Sequence, residues 1–371
     1  MKKLLTIVGA RPQFIKLAPM AQAINEHNAS SLDKKIQHII VHTGQHYDYK
    51  MSKVFFDQLK IPNPDYNLEV GSASHGKQTG QMLEKIEEVI LKEKPDMTVV
   101  YGDTNSTLAG ALASAKLHIP VSHIEAGLRS YNKKMPEEIN RVLSDYISTL
   151  LFCPTQKAVE NLLKESIKEN IYNVGDVMYD AALFALKESE NMKIELENFG
   201  VHHKEYILVT IHRAENTDDL DRLEQIFESL IKLTEKNLKI LVPLHPRTLK
   251  KLDLLRKDLR SKLDKINIIE PLSYFEMLRA EKSAKVILTD SGGIQKEAYF
   301  FKVPCVTMRD ETEWTELLDC GVNFLVGADT KKIVETVSFA LSGDQFNFDQ
   351  NLYGDGKASF KIVEKISKYL F

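Results

Sequence analysis

Cysteine and tryptophan are scarce in this chain, three and one among 371 residues. Cys153, Cys305 and Cys320 show no metal-type spacing. Cys153 and Cys305 lie inside apolar runs and read as buried thiols of a reducing compartment. An excess of charge is lacking too. A net charge of -3 makes no electrostatic case for nucleic acid or an anionic membrane, so any anion site must be local. No apolar stretch is long enough to cross a bilayer. The opening "MKKLLTIV" starts basic, but Arg11 and Pro12 end its short apolar run and no small-residue cleavage site follows. These absences predict a cytoplasmic protein with neither nucleic acid nor membrane as partner. A dinucleotide fingerprint, a serine-nucleophile elbow and convincing metal-ligand spacing are also missing, so neither a nicotinamide cofactor nor a metal is expected.

What is present is a soluble, core-forming composition, 43% hydrophobic and 27% charged, with length for two domains. Short β-branched apolar runs alternate with helical patterns. The first series is "LLTIVG", "IQHIIVHTG", "MTVVYGD", "VSHIEAG", "TLLFCP" and "IYNVGD". After a charged, helix-prone stretch from about 181 to 204 come "YILVTIH", "KILVPLHP", "INIIEP", "AKVILTDSGG", "PCVTMRD" and "NFLVG". Runs this apolar, spaced by helices, indicate parallel strands buried on both faces, hence two doubly wound α/β domains. The expected division is 1–175 and 176–356. A C-terminal helix over 357–371 shows a stripe of Phe360, Val363, Ile366 and Leu370 that needs a docking place.

In open α/β sheets ligands bind beyond the carboxyl ends of the strands, so the polar residues there matter most. After the first strand, "GARPQFIK" puts Arg11 at a helix mouth, where the helix dipole already favours an anion and a guanidinium adds a fork of donors. Pro19 is expected to kink that helix. Asp103 follows the third run; its bland role is a helix N-cap. Glu125 follows the fourth, where folding has no need of a carboxylate. Glu137, Glu138 and Arg141 share the next helix, whose first turn favours acids in any case. Together Asp103, Glu125 and Glu137 come from neighbouring loops, and crowded carboxylates can furnish both an acid and a base. In the second half, His212 and Arg213 end one strand. "TDSGGIQKEA" runs strand, turn, helix, so that Ser291, Gly292 and Gly293 can point amides at a phosphate, with Glu297 placed to accept from ribose hydroxyls.

"GARPQFIK", "GDTNSTLAGALA", "HIEAGLRS", "MPEEINR", "HRAEN" and "TDSGGIQKEA" resemble the signature set of the non-hydrolysing UDP-N-acetylglucosamine 2-epimerases. The likeness covers nearly the whole chain. It implies a glycosyltransferase-B fold, two Rossmann-like domains facing a cleft, with the last helix crossing back to the first domain. It implies a UDP-sugar substrate, a homodimer and a reaction without cofactor. UDP leaves by anti elimination as carbon 2 loses its proton, and re-adds to a 2-acetamidoglucal with a proton delivered to the opposite face. In that scheme Asp103, Glu125 and Glu137 fill acid and base positions. Arg11, Lys16, His212 and the Ser291-Gly292-Gly293 turn stabilise the diphosphate, with Arg141, Arg213 and Arg309 among the binding residues. Glu297 holds the ribose. Tyr274 and Phe275 are candidates for the uracil, with core packing as the alternative.

The chain also departs from the pattern. "QHYDYKM" replaces "QHREML" beside a site where some bacterial members bind a second, activating UDP-sugar, which makes Gln45 and His46 the regulatory candidates. Gln13 stands where many relatives have glutamate, which bears on the choice of substrate. "ETEW" puts Trp314 where arginine is common. This variant is similar to relatives that epimerise UDP-2,3-diacetamido-glucuronic acid for surface polysaccharides. Three rival readings share parts of the pattern: a glycosyltransferase of the same fold, a hydrolysing 2-epimerase and a non-catalytic UDP-sugar sensor.

Overall fold

The computed structural model describes residues 1–45, 59–190, 192, 194–236, 238–343, 346–348 and 351–371. The chain divides into two compact units, 1–184 with 352–371, and 185–351.

Unit 1 holds seven strands: β1 (Lys2–Val8), β2 (Ile36–His42), β3 (Tyr66–Asn67), β4 (Met97–Tyr101), β5 (Val121–Ile124), β6 (Leu150–Cys153) and β7 (Ile171–Asn173). They form one parallel sheet in the order β3-β2-β1-β4-β5-β6-β7. Unit 2 holds β8 (Tyr206–Thr210), β9 (Lys239–Pro243), β10 (Asn267–Ile269), β11 (Val286–Thr289), β12 (Cys305–Thr307) and β13 (Asn323–Leu325). They form a second parallel sheet in the order β10-β9-β8-β11-β12-β13. All twelve apolar runs are strands. The thirteenth, β3, is two residues long, half-buried to exposed, and among the described residues pairs only with the end of β2, so it has no apolar signature.

The central strands are buried along their length because helices cover both faces of a parallel sheet. Ile7, Val41, Ile86 and Val100 pack in one core of unit 1. Ile207, Val209, Phe227 and Leu288 do so in unit 2. In each sheet the strand order reverses beside the central strand, at β1/β4 and at β8/β11, which is where an open α/β sheet opens a crevice at its carboxyl edge.

The first helix runs unbroken from Arg11 to Ser30 through Pro19, so the proline does not end it. Residues 13–21 are all buried, because β-strands lie on one side and the C-terminal helix (Ala358–Leu370) packs on the other. Ser367 on that helix meets His27 at 3.4 Å. Its buried face is Ala358, Ile362, Val363 and Ile366, whereas Phe360 of the expected stripe is 40% exposed.

The unit boundary falls later than 175, inside the helix Val177–Glu190. Val177, Ala181 and Ala182 are buried, and the Asp180 carboxylate accepts the first amides of the C-terminal helix, from Ala358 at 3.0 Å and Ser359 at 2.7 Å. Asp176 N–H donates to the Tyr353 carbonyl at 2.9 Å. These bonds tie the start of the helix and the returning segment from 352 into unit 1. Among the described residues no helix is long and apolar enough to cross a membrane.

Candidate active-site residues

In unit 1 the candidates gather at the carboxyl ends of β1, β4 and β5. The loop after β1 needs Gly9: a Cβ there would lie 2.0 Å from Thr43 Oγ1 and 2.3 Å from Ser106 Oγ. Gln13 clamps this loop. Its Oε1 accepts from the amides of Gly9 (2.8 Å) and Ala10 (3.0 Å), and its Nε2 donates to the Tyr101 carbonyl (2.9 Å) and to the hydroxyls of Thr104 and Thr107. Both ends of the buried amide are spent on the protein itself, so Gln13 is an internal fastener and not a substrate contact. Arg11, first residue of the helix, is exposed. Lys16, one turn on, is buried and paired with Glu125.

Asp103 does not cap the helix Asn105–Lys116. Thr104 does, with its Oγ1 accepting from Thr107 N–H. The Asp103 carboxylate pairs instead with Arg141. Burial raises its pKa above the ordinary value. The Arg141 charge opposes that and the nearby Glu125 charge adds to it. Burial, more than the crowding of carboxylates, therefore favours the protonated form.

Glu125 has φ +72°, a left-handed conformation unusual for a side-chain-bearing residue. Bonds at 3.0 Å from the amides of Glu125 and Ala126 to the Phe152 carbonyl hold it there. Strain of this kind collects where a side chain must be aimed. Glu125 Oε2 lies 3.1 Å from where a Cβ on Gly102 would stand, next to the Asp103 turn.

The helix Pro136–Ile147 separates its two first-turn acids. Glu137 is exposed. Glu138 is buried and accepts from Ser130 N–H and Oγ (both 2.9 Å) and Tyr131 N–H (2.8 Å), with Arg141 at 3.2 Å. Burial alone would raise the Glu138 pKa, but these bonds outweigh it and hold the group below the usual range. Gln45 accepts from Ser106 N–H (3.2 Å) and Oγ (2.7 Å), so its amide oxygen serves the start of the next helix. His46 lies outside the described residues.

In unit 2, Asp290 organises the end of β8. It is fully buried, accepts from the amides of His212 and Arg213 and from Asn216 Nδ2 at 3.1–3.2 Å, and faces His212 Nδ1 at 3.0 Å. Burial would raise its pKa, but these donors hold it below the ordinary value. The His212 ring is thereby oriented while its side chain remains 54% exposed. Sequence reasoning named His212 and passed over Asp290. The aspartate at the apolar strand end in "LTDSGG" was the available signal.

Ser291 caps the helix Gly292–Phe300, leaving Gly292 and Gly293 in its first turn. Glu297 is buried farther along that helix. The Glu313 carboxylate lies over the turn, 2.5 Å from where a Cβ on Gly292 would stand, and Arg309 Nη1 donates to it at 2.8 Å. Lys296 sits 4.3 Å from the centre of the Trp314 ring. Phe275 is 1% exposed and meets Tyr274, also buried, edge-on at 5.9 Å. Among the described residues no three His, Cys, Asp or Glu side chains converge on a metal site.

Two doubly wound units, one with paired carboxylates and cations at its strand ends and the other with a glycine turn at a helix mouth, define an α/β enzyme of the glycosyltransferase-B-like class. A family model described as UDP-N-acetylglucosamine 2-epimerase matches residues 28–367. The chain is 55% identical over 366 residues to a UDP-N-acetylglucosamine 2-epimerase homolog of Methanococcus maripaludis, covering 98% of each. It is 50% identical to the UDP-2,3-diacetamido-2,3-dideoxy-D-glucuronate 2-epimerase of Pseudomonas aeruginosa, covering 99% of each. The structure of Methanocaldococcus jannaschii UDP-GlcNAc 2-epimerase in complex with UDP-GlcNAc and UDP superposes with a TM-score of 0.81 at 47% identity, covering 99% of each chain. The chain belongs to the UDP-N-acetylglucosamine 2-epimerase family and is an isomerase.

Proposed function

We propose that this enzyme interconverts UDP-GlcNAc and UDP-ManNAc by reversible epimerisation at carbon 2. The observation that carries the reading is the arrangement at β4 and β5, where two carboxylates on adjacent turns are each matched to a cation, Asp103 to Arg141 and Glu125 to Lys16. The carbon 2 proton is weakly acidic, so its removal needs a positioned base and its return an acid on the other face. Asp103, Glu125 and the solvent-facing Glu137 take these roles. Loss of the proton expels UDP from carbon 1 and leaves a 2-acetamidoglucal; re-addition of UDP with a proton to the opposite face gives the epimer. In unit 2, His212 and the amides of the Ser291 turn neutralise the diphosphate as it leaves, because charge builds there in the transition state; in unit 1, Arg11 and Lys16 are the cations at the β1 loop, Lys16 beside Glu125. Glu297 accepts from the ribose hydroxyls. Incubation with UDP-GlcNAc in deuterated water tests this: deuterium enters carbon 2 without an acceptor sugar and without net UDP release. Absence of exchange with every UDP-N-acetylhexosamine tried rejects it, steady UDP release indicates a hydrolysing enzyme, and binding without turnover indicates a sensor.

A second substrate has specific support. The 50% identity to the diacetamido-glucuronate epimerase and Trp314 in the loop over the glycine turn favour UDP-2,3-diacetamido-2,3-dideoxy-glucuronic acid. An NMR comparison of the two nucleotide sugars decides between them. We place the reaction in the cytoplasm, supported by three free thiols, in the supply of sugars for surface polysaccharide. We also propose a homodimer, supported by Met135, Ile139, Leu143 and Tyr146, which leave one side of the helix Pro136–Ile147 apolar and exposed. Light scattering that gives the monomer mass rejects the dimer.

A further inference from the structure

We infer that Asp145 is a positioning residue that fixes the Asp103 turn relative to the Glu125 turn, through His123 on one side and the Gly127 amide on the other. The inference rests on the proton-transfer roles proposed above for Asp103 and Glu125.

Asp145 lies near the end of the helix Pro136–Ile147, with a side chain that is fully buried. Its Oδ1 is 2.7 Å from His123 Nδ1. Its Oδ2 accepts from Gly127 N–H at 3.1 Å and from Arg129 Nη1 at 2.7 Å. Arg129 also forks onto Glu165 at 2.7 and 2.8 Å. His123 sits in the middle of β5 with no exposure, and its Nε2 lies 2.7 Å from the Gly102 carbonyl. A carbonyl only accepts, so Nε2 carries a hydrogen. Asp145 Oδ2 takes the Gly127 and Arg129 donors, and its Oδ1 faces His123 Nδ1 across one shared hydrogen. Gly102, His123, Asp145, Arg129 and Glu165 thus form one chain of hydrogen bonds, buried from His123 to Arg129 and emerging at Glu165, whose side chain is 25% exposed.

The two ends of this chain matter. Gly102 directly precedes Asp103, and Gly127 follows Glu125 by two residues. Gly102 (φ +61°), Glu125 (φ +72°) and Gly127 (φ +80°) all stand in left-handed backbone, where regular structure gives no support. One carboxylate therefore secures both turns. A buried set of charges is a weak source of stability compared with an apolar filling of the same volume. What it supplies here is direction: partners for a carbonyl and an amide just past the strand ends, set at a fixed distance from each other.

Two measurements test this on the full-length enzyme. In wild-type protein with 15N-labelled histidine, one ring carries its hydrogen on Nε2; its signals vanish in His123→Asn and shift in Asp145→Asn. A His123 ring without a hydrogen on Nε2, or one whose signals ignore Asp145→Asn, overturns the inference, whether or not the enzyme accepts the sugars tested. In Asp145→Asn, which keeps the shape and removes the charge, kcat and carbon 2 deuterium exchange fall together by about 100-fold, the cost expected of a reacting group misplaced by roughly 1 Å. KM and the Kd for UDP stay within about threefold, and circular dichroism reports a folded protein. A folded Asp145→Asn with wild-type kcat overturns the positioning role, as does a loss of UDP affinity equal to the loss of kcat. If wild-type enzyme epimerises no UDP-sugar, the proposed function fails, and the labelled-histidine spectrum still decides the His123–Asp145 link.

Discussion

Replacing Gln13 tests how unit 1 joins its first loop to the Asp103 turn. In Gln13→Ala the amides of Gly9 and Ala10 lose their side-chain acceptor, while the Tyr101 carbonyl keeps Thr107 Oγ1 at 2.6 Å. Two buried donors left unpaired cost about 1–3 kcal/mol each. At about 1.5 kcal/mol each, in the lower half of that range, the pair costs about 3 kcal/mol. In a unit of this size each kcal/mol moves the midpoint by about 2–4 °C, so the unit 1 transition drops by about 6–12 °C. Gln13→Glu keeps the two accepted amides but turns a carboxylate oxygen toward the Tyr101 carbonyl, now 2.9 Å from the Nε2 donor. Ionisation of that glutamate is disfavoured in the folded state, so its folded pKa lies above its unfolded value of about 4.3. Its cost is small in acid and grows as pH rises through that value, so the gap to wild type is wider at pH 8 than at pH 5. Thermal melts followed by circular dichroism at the two pH values read both effects. A Gln13→Ala midpoint within about 1 °C of wild type, or a Gln13→Glu gap that ignores pH, refutes the reasoning.

Three further outcomes are expected. Asp103→Asn and Glu137→Gln each lower turnover by at least about 100-fold while calorimetry shows UDP binding retained; wild-type rates in both remove these residues from proton transfer. Glu281 is fully buried, and burial, then the neighbouring Glu297 charge, pushes its pKa well above the ordinary value. Stability is therefore lost as pH rises from the unfolded value toward the folded one, and Glu281→Gln raises the melting temperature more at pH 8 than at pH 5; a lower midpoint at pH 8 contradicts this. Asp290, whose pKa is held down, contributes stability that is present above about pH 4 and lost as pH falls through its folded value. Asp290→Asn is accordingly less stable than wild type at pH 7, with a gap that closes in acid, and it lowers kcat because His212 loses its orienting partner. An equal gap at every pH between 3 and 7 rules out the charge as the cause.

Much of the fold was legible because it is written in local pattern. Twelve apolar runs became twelve strands, and the polar residues directly after them, Asp103, Glu125, His212 and Ser291, did arrive at the carboxyl edges of the sheets. Strand β3 escaped because two half-exposed residues carry no period. Phe360 and the 175 boundary were misplaced for another reason. An amphipathic stripe tells that a helix has a buried face without giving its rotation, and the start of the helix Val177–Glu190 is tied to unit 1 through the amides of residues 358 and 359.

The sequence by itself determined two parallel doubly wound units, the turns at which chemistry can occur and the family to which the chain is similar. All of these follow from residues close together in the chain. The tertiary structure decided which polar groups are spent inside the protein. Nothing in "PEE" distinguishes Glu137 from Glu138, yet one faces solvent while the other is buried on the Ser130 turn. Nothing in "ARPQF" says that Gln13 is consumed by Tyr101, 88 positions away, nor does "LSDYI" reveal that Asp145 reaches back 22 positions to His123. A buried polar side chain is stable only where distant segments bring it partners, so its role is set by the packing of the whole unit and not by its neighbours in sequence.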